Sequence, residues 1–165
     1  MWHSLLTADF LGNRHWVLTK PLSYEIFDFI DDSYLKIWQG IGASMVLHKH
    51  DYSLLITVPK GYHTDLASIA RPMWVAISPW DVARAAVVHD MLYGLIRAHK
   101  AHLSKTRITA LRDQADKIFR QGMRDADPKI PKWKIGICYY FVRSLGWASI
   151  IKEPKFNANK KTNKR

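Results

Sequence analysis

The sequence predicts an α+β fold, an N-terminal antiparallel β-sheet followed by three packed helices, and three observations carry that expectation. The first third of the chain is a series of short β-branched and aromatic bursts broken by Gly, Pro, Asn and Asp. Beyond Trp80 the apolar residues recur at helical spacing over long uninterrupted stretches. A polar, basic stretch from Arg97 to Lys105 and a Pro-containing break from Asp127 to Pro131 divide those stretches into three.

In the first third, the bursts are His15-Trp16-Val17-Leu18, Tyr24-Glu25-Ile26-Phe27, Tyr34-Leu35-Lys36-Ile37-Trp38, Met45-Val46-Leu47 and Leu54-Leu55-Ile56-Thr57-Val58. Gly12-Asn13, Pro21, Asp31-Asp32, Gly40 and Lys49-His50-Asp51 separate them, as turn residues separate the strands of a small antiparallel sheet. For Tyr24 to Ile30 a helical turn is the alternative, because the spacing fits both. Val58 to Trp74 follows, and Pro59, Gly61 and Pro72 exclude a long helix there. The stretch reads as a shaped loop rich in site-type residues, Thr64, Asp65 and Ser68 among them. Its bland reading is equally physical: Asp65 or Ser68 caps a short turn and Trp74 plugs the core.

The first helix spans Trp80 to His99, and Ala85, Val88, His89, Leu92 and Ile96 form its apolar stripe. His89 therefore lies on the face that is buried. Asp90 follows about 100° round the helix and Tyr93 stands one turn beyond, so three polar tips rim one edge of the stripe. That rim suits a metal, a proton relay or a satisfied core histidine. The second helix, about Thr106 to Arg124, carries Ile108, Leu111, Ala115, Ile118, Phe119 and Gly122 on one face. Arg112 and Asp116 stand one turn apart at its margin, either as an exposed pair or with Asp116 turned toward the first helix. The third helix, Lys132 to Ile151, is aromatic and nearly apolar all round and should pack on the other two.

At 165 residues the chain has the length of one domain, expected over 1–151 with a basic, disordered tail at 152–165. Hydrophobic residues at 48% and charged residues at 24% exclude wholesale disorder. The net charge of +11 suggests a polyanionic partner, but six basic residues and one acidic residue between Lys152 and Arg165 put +5 of it in the tail. Cys138 is the single cysteine, so no intrachain disulfide forms, and its place in an apolar helix suits packing better than reactivity. No signal peptide is visible at the start, and Arg143 interrupts the longest apolar run, which is shorter than the roughly 20 residues of a membrane span. A soluble protein of a reducing cytoplasm is the expectation. His48-Lys49-His50 with His63 is a weaker constellation for a transition metal; without thiolates or helical His spacing it reads as a solvated loop.

Five blocks in order are Arg14-x-Trp16-x-Leu18, Val58-Pro59-x-Gly61-x-x-Thr64-Asp65-x-Ala67-Ser68-Ile69, His89-Asp90-x-Leu92-Tyr93, Arg112-x-x-Ala115-Asp116-x-x-Phe119 and Val142-Arg143-x-x-Gly146. Over about residues 12 to 148 the chain resembles a family of phage and prophage proteins known as the domain of unknown function numbered thirteen fifty-three. Ala70 stands where that family usually has Pro, and a longer insert separates Tyr93 from Arg112. The resemblance implies a bacteriophage origin and brings no activity with it.

His89-Asp90-x-x-Tyr93 on one helix and Asp116-x-x-Phe119 on another also resemble the helix pair of secreted bacterial and fungal phospholipases A-two. That likeness implies His89 as the base, Asp116 as its orienter, Tyr93 beside them, and calcium on Asp90, Asp65 and the Leu66 carbonyl. A neutral imidazole is a competent base near neutral pH, and calcium takes hard oxygen donors. The leading expectation is thus a bacteriophage accessory protein with a calcium-dependent lipid ester hydrolase site. The rival is a non-enzymatic virion, assembly, host-factor or nucleic-acid binding protein whose His-Asp network is structural. The basic tail would meet an anionic membrane surface or nucleic acid, other phage proteins are further expected partners, and the location is the host cytoplasm or the virion.

Overall fold

The structure, a computed structural model, describes residues 1–12, 15–27, 32–64 and 79–151. Among the described residues, two small antiparallel sheets precede three long helices. In the first, β1 (Ala8–Gly12), β2 (His15–Leu18) and β6 (His63–Thr64) lie in the order β1-β2-β6. In the second, β5 (Ser53–Val58) runs between β3 (Leu22–Phe27) and β4 (Met45–His48). The α+β class is as expected, whereas the one sheet anticipated is split in two, with β1 and the two-residue β6 as strands that carry little buried alternation.

Tyr24 to Phe27 is a strand rather than a helical turn: Tyr24 faces Ile56 and Ile26 faces Leu54 across the ladder, and all four are buried. Tyr34 to Trp38 is the correction. These residues belong to α1 (Asp32–Gly40), not to a strand. Tyr34, Ile37 and Trp38 are three and four positions apart, so coiling brings them to one face, where Trp38 is buried and its indole N–H donates to Gln114 Oε1 at 2.7 Å. A strand would have sent Ile37 and Trp38 to opposite sides.

Three long helices follow: α2 (Pro79–His99), α3 (Lys105–Arg124) and α4 (Lys132–Ile151), with a 3-10 turn at Lys100–His102 after α2. The expected boundaries hold to within a residue or so, and Ser104 explains the start of α3 by accepting the Arg107 N–H at 3.2 Å. α2 differs from the one-striped helix anticipated. Val82, Ala83 and Ala85 to His89 are all buried, because small side chains let α2 lie between the β3-β5-β4 sheet and α3. Leu22, Tyr24, Ile26, Met45, Leu54, Ile56 and Val58 form the sheet side of this core; Val87, Val88, Met91, Leu92 and Ile96 meet them from α2.

At the other end of α2, Ala85 approaches Gly122 of α3 so closely that a β-carbon there would lie 3.3 Å from that of Ala85. Trp2 covers the same spot, and its indole N–H donates to the Gly122 carbonyl at 3.0 Å. Tyr24 ties the sheet to the end of α3 by donating to Asp125 Oδ2 at 2.8 Å, and burial, then Asp125, push the phenol pKa up. α4 packs by Ile135, Cys138 and Ile150 but leaves Trp133, Ile137, Tyr140 and Leu145 exposed, so it is not enclosed all round. Burial pushes the Cys138 thiol up to about 11, in keeping with a packing role. No helix among the described residues is long and apolar enough to cross a membrane. The tail expected at 152–165 lies outside the described residues.

Candidate functional site

Three helices converge on Asp116. Its carboxylate, with 0% exposure, sits on α3 facing α2. His89 Nε2 lies 2.9 Å from Oδ1, and the Tyr93 hydroxyl donates to the same oxygen at 2.7 Å. The one-turn spacing of His89 and Tyr93 on α2 is what lets both reach a single acceptor. Arg143 of α4 approaches Oδ2 at 3.4 Å and also meets Asp113 Oδ1 at 2.9 Å. Of the two readings open for Asp116, the exposed pair with Arg112 is overturned: its position beside Ala115 and Phe119 turns it into the α2–α3 interface.

Burial by itself raises the pKa of Asp116, but the hydrogen bond and charge of His89, with Tyr93 and Arg143, outweigh it and hold the carboxyl below its ordinary value. An ionised Asp116 can only accept. The proton of a neutral His89 therefore sits on Nε2, and the lone pair is left on Nδ1. Tyr93 stays protonated, since burial and the Asp116 charge raise its pKa and Arg112 only partly opposes them. The imidazole, 8% exposed, is clasped by the Tyr93 and Phe119 rings, with centroids 4.2 and 4.9 Å away.

The remaining members of the expected set are spread round this centre. Arg112 is buried near Tyr93, and Gly146 of α4 makes room for both: a β-carbon there would come within 2.6 Å of the Tyr93 hydroxyl and 2.7 Å of an Arg112 nitrogen. Arg143 and Gly146 belong to the block Val142-Arg143-x-x-Gly146 but carried no role in the sequence reading. Only the packing of α4 on α3 reveals one, although an Arg and a Gly inside an apolar helix were visible signals.

Thr64 is set against Asp90 by a turn. Tyr62 N–H donates to the Pro59 carbonyl at 3.2 Å, and Gly61 adopts φ 81° within that turn, a conformation a side chain resists. The turn feeds β6, which pairs with β2 and sets the Thr64 hydroxyl 3.1 Å from Asp90 Oδ2. Asp90 is half-buried, next to His89 in the chain. Asp65, Leu66 and Ser68 lie outside the described residues, as do Arg14, Ala70 and Trp74. The loop cluster of His48-Lys49-His50 with His63 does not assemble: His63 is exposed in β6, while His48 meets Glu25 from the other sheet.

No curated protein and no solved structure matches the chain. A family model does, over residues 41–142, a span that holds His89, Asp90, Tyr93, Arg112 and Asp116 but stops short of the first block and of Gly146. That family is described as Protein of unknown function (DUF1353), and the chain belongs to it.

Proposed function

We propose that the chain is a bacteriophage accessory protein that hydrolyses ester bonds, with lipid esters as substrate class and the centre on Asp116 as its catalytic machinery. The observation that carries this reading is the division of the imidazole: Nε2 at 2.9 Å from Asp116, Nδ1 left to accept a proton from water. Asp116 fixes the tautomer and steadies the imidazolium formed when water is deprotonated, and the Tyr93 hydroxyl on the same oxygen keeps that carboxylate in place. Asp90 would hold calcium together with Asp65 and the Leu66 carbonyl. A half-buried carboxylate next to the base suits a hard cation. Calcium, when bound, supplies polarisation of the ester carbonyl. The basic tail would add attraction to an anionic membrane surface.

A second reading rests on a specific observation as well. His89 is 8% exposed and Asp116 fully enclosed, as in a buried polar network that locks α2, α3 and α4 together. In that reading the chain is a non-enzymatic virion, assembly, host-factor or nucleic-acid binding protein.

Hydrolysis of a short-chain phospholipid, followed with calcium and with chelator, separates the two. Under the hydrolase reading the wild type is active with calcium, and His89→Asn loses about a hundredfold or more of the rate while remaining folded. Folded wild-type protein without hydrolysis in calcium, or a His89→Asn variant with full activity, overturns it.

A further inference from the structure

Opposite the core-facing Leu22, Tyr24 and Ile26, the outer face of the β3-β5-β4 sheet carries another meeting of imidazoles and carboxylates. Strand register builds it. Trp2 pairs with Tyr24 in an antiparallel bridge, which sets His3 on the face of Glu25 beyond one edge of β3. Phe27 pairs with Ser53 and His48 pairs with Ser53, so Glu25, Ser53 and His48 also share that face. Asp51, in the turn between β4 and β5, closes the group. Ser53 is the small residue in the middle. Its short side chain leaves a space that Glu25 enters from β3 and His48 from β4.

Glu25 is 7% exposed, and a carboxylate taken so far out of water requires a compensating charge. Its partners among the described residues are Ser53 and two imidazoles: His3 Nε2 lies 2.6 Å from Oε2 and His48 Nδ1 lies 3.5 Å from Oε1. Ser53 Oγ lies 2.6 Å from Glu25 Oε1 and 2.9 Å from Asp51 Oδ1, yet a hydroxyl has one proton to donate. Two carboxylate oxygens thus compete for it, and one contact is left with lone pair against lone pair. A positive charge among the three side chains removes that conflict.

We propose that Glu25, His48 and Asp51 bind a divalent transition metal, zinc by the character of the donors, with His3 holding the second oxygen of Glu25. One ligand atom from each of the three already lies within 4.8 Å of the other two. Zinc bonds of about 2.0–2.2 Å place neighbouring ligand atoms roughly 3.3–3.6 Å apart, a separation that Glu25 and His48 already meet. Asp51 and His48 are exposed and close the remainder by small side-chain rotations. An imidazole with two carboxylates suits zinc or a neighbouring first-row ion, whereas calcium takes oxygen donors alone. His3 on the far oxygen of Glu25 is the kind of partner that orients a ligating carboxylate. Three protein ligands leave a fourth position for water or a donor from a partner.

The test is titration of the full chain, stripped with chelator, by zinc chloride in a calorimeter and by cobalt chloride in the visible spectrum. One zinc per chain, a zinc-dependent rise in Tm and cobalt bands in the visible are expected. His48→Gln and Asp51→Asn should each weaken binding by more than about tenfold, and His3→Gln by roughly tenfold through Glu25. His50→Gln should change nothing. These variants alter exposed side chains, so the fold survives them, and a cooperative melt without metal verifies it. No binding at submillimolar zinc overturns the proposal, leaving imidazole–carboxylate contacts on the sheet. Binding that persists unchanged in both His48→Gln and Asp51→Asn overturns it too, because the ion then sits elsewhere.

Discussion

Asp116 and Glu25 are both carboxylates withdrawn from water that rest on histidine, and they differ in what closes over them. Asp116 lies between α2 and α3, beneath an imidazole that is itself buried, and α4 adds Arg143. Glu25 lies on a sheet face, covered by His3 and His48, whose side chains are 43% and 45% exposed. The residue types are nearly the same, yet the first centre is locked and the second adjustable. Helix packing surrounds a side chain on all sides, whereas a sheet face is covered only by what its neighbours and edges lay across it. Depth therefore decides which centre holds one fixed proton arrangement and which can rearrange round an ion.

The largest test of this contrast is removal of the buried carboxylate. Asp116→Ala leaves His89, Tyr93 and Arg143 without their common acceptor, and urea denaturation should show a loss of about 3–5 kcal/mol. If the loss is below about 1 kcal/mol, the α2–α3 centre is not locked by this residue. Next in size is crowding of the same centre from α4. Gly146→Ala drives a methyl group against the Tyr93 hydroxyl and Arg112, at a cost of about 1–3 kcal/mol. Gly136→Ala, in the same helix with nothing within 4 Å of its added β-carbon, should instead be neutral or stabilising by up to about 1 kcal/mol. Melts of the two variants side by side should show a lower Tm for Gly146→Ala and an unchanged or higher one for Gly136→Ala.

Acid should act on both centres with the same sign. The folded pKa of Asp116 is held low despite burial, and that of Glu25 is held low by Ser53 and His3. Each thus contributes stability that is complete above the unfolded carboxylate value, about 4, and is lost as pH falls through the folded value. Denaturant midpoints should fall as the pH drops below about 4. Asp116→Asn should remove more of that fall than Glu25→Gln. The reverse order would place the stronger proton linkage on the sheet. The smallest effect belongs to the exposed imidazole: without metal, His48→Gln should change stability by less than about 1 kcal/mol, the range of a solvent-screened pair.

Much of the helical half was legible in the sequence because its signals are local and redundant. Spacing, the polar stretch after Arg97 and the Pro-containing break after Arg124 marked α2, α3 and α4 within a residue or so, and the apolar stripe of α3 identified the face on which Asp116 borders. Tyr34 to Trp38 was misread because five residues of mixed aromatic and aliphatic type satisfy a strand and a helix alike. β1 and β6 left almost no trace, being stabilised by partners distant in the chain rather than by their own pattern. The resemblance picked out His89, Tyr93 and Asp116, and the structure brings those three together.

By itself the sequence determined the α+β class, the three long helices, the solitary cysteine and the membership of His89, Asp90 and Tyr93 in one helix, since periodicity and composition act over neighbouring residues. Only the tertiary structure decided that Asp116 faces inward rather than standing exposed, that Arg143 and Gly146 complete its surroundings, and that His3 and His48 meet on Glu25. Each of those outcomes depends on a contact between residues more than twenty positions apart, formed by helix packing or strand register. Such contacts are set by the shape of the assembled core, and no local pattern encodes them.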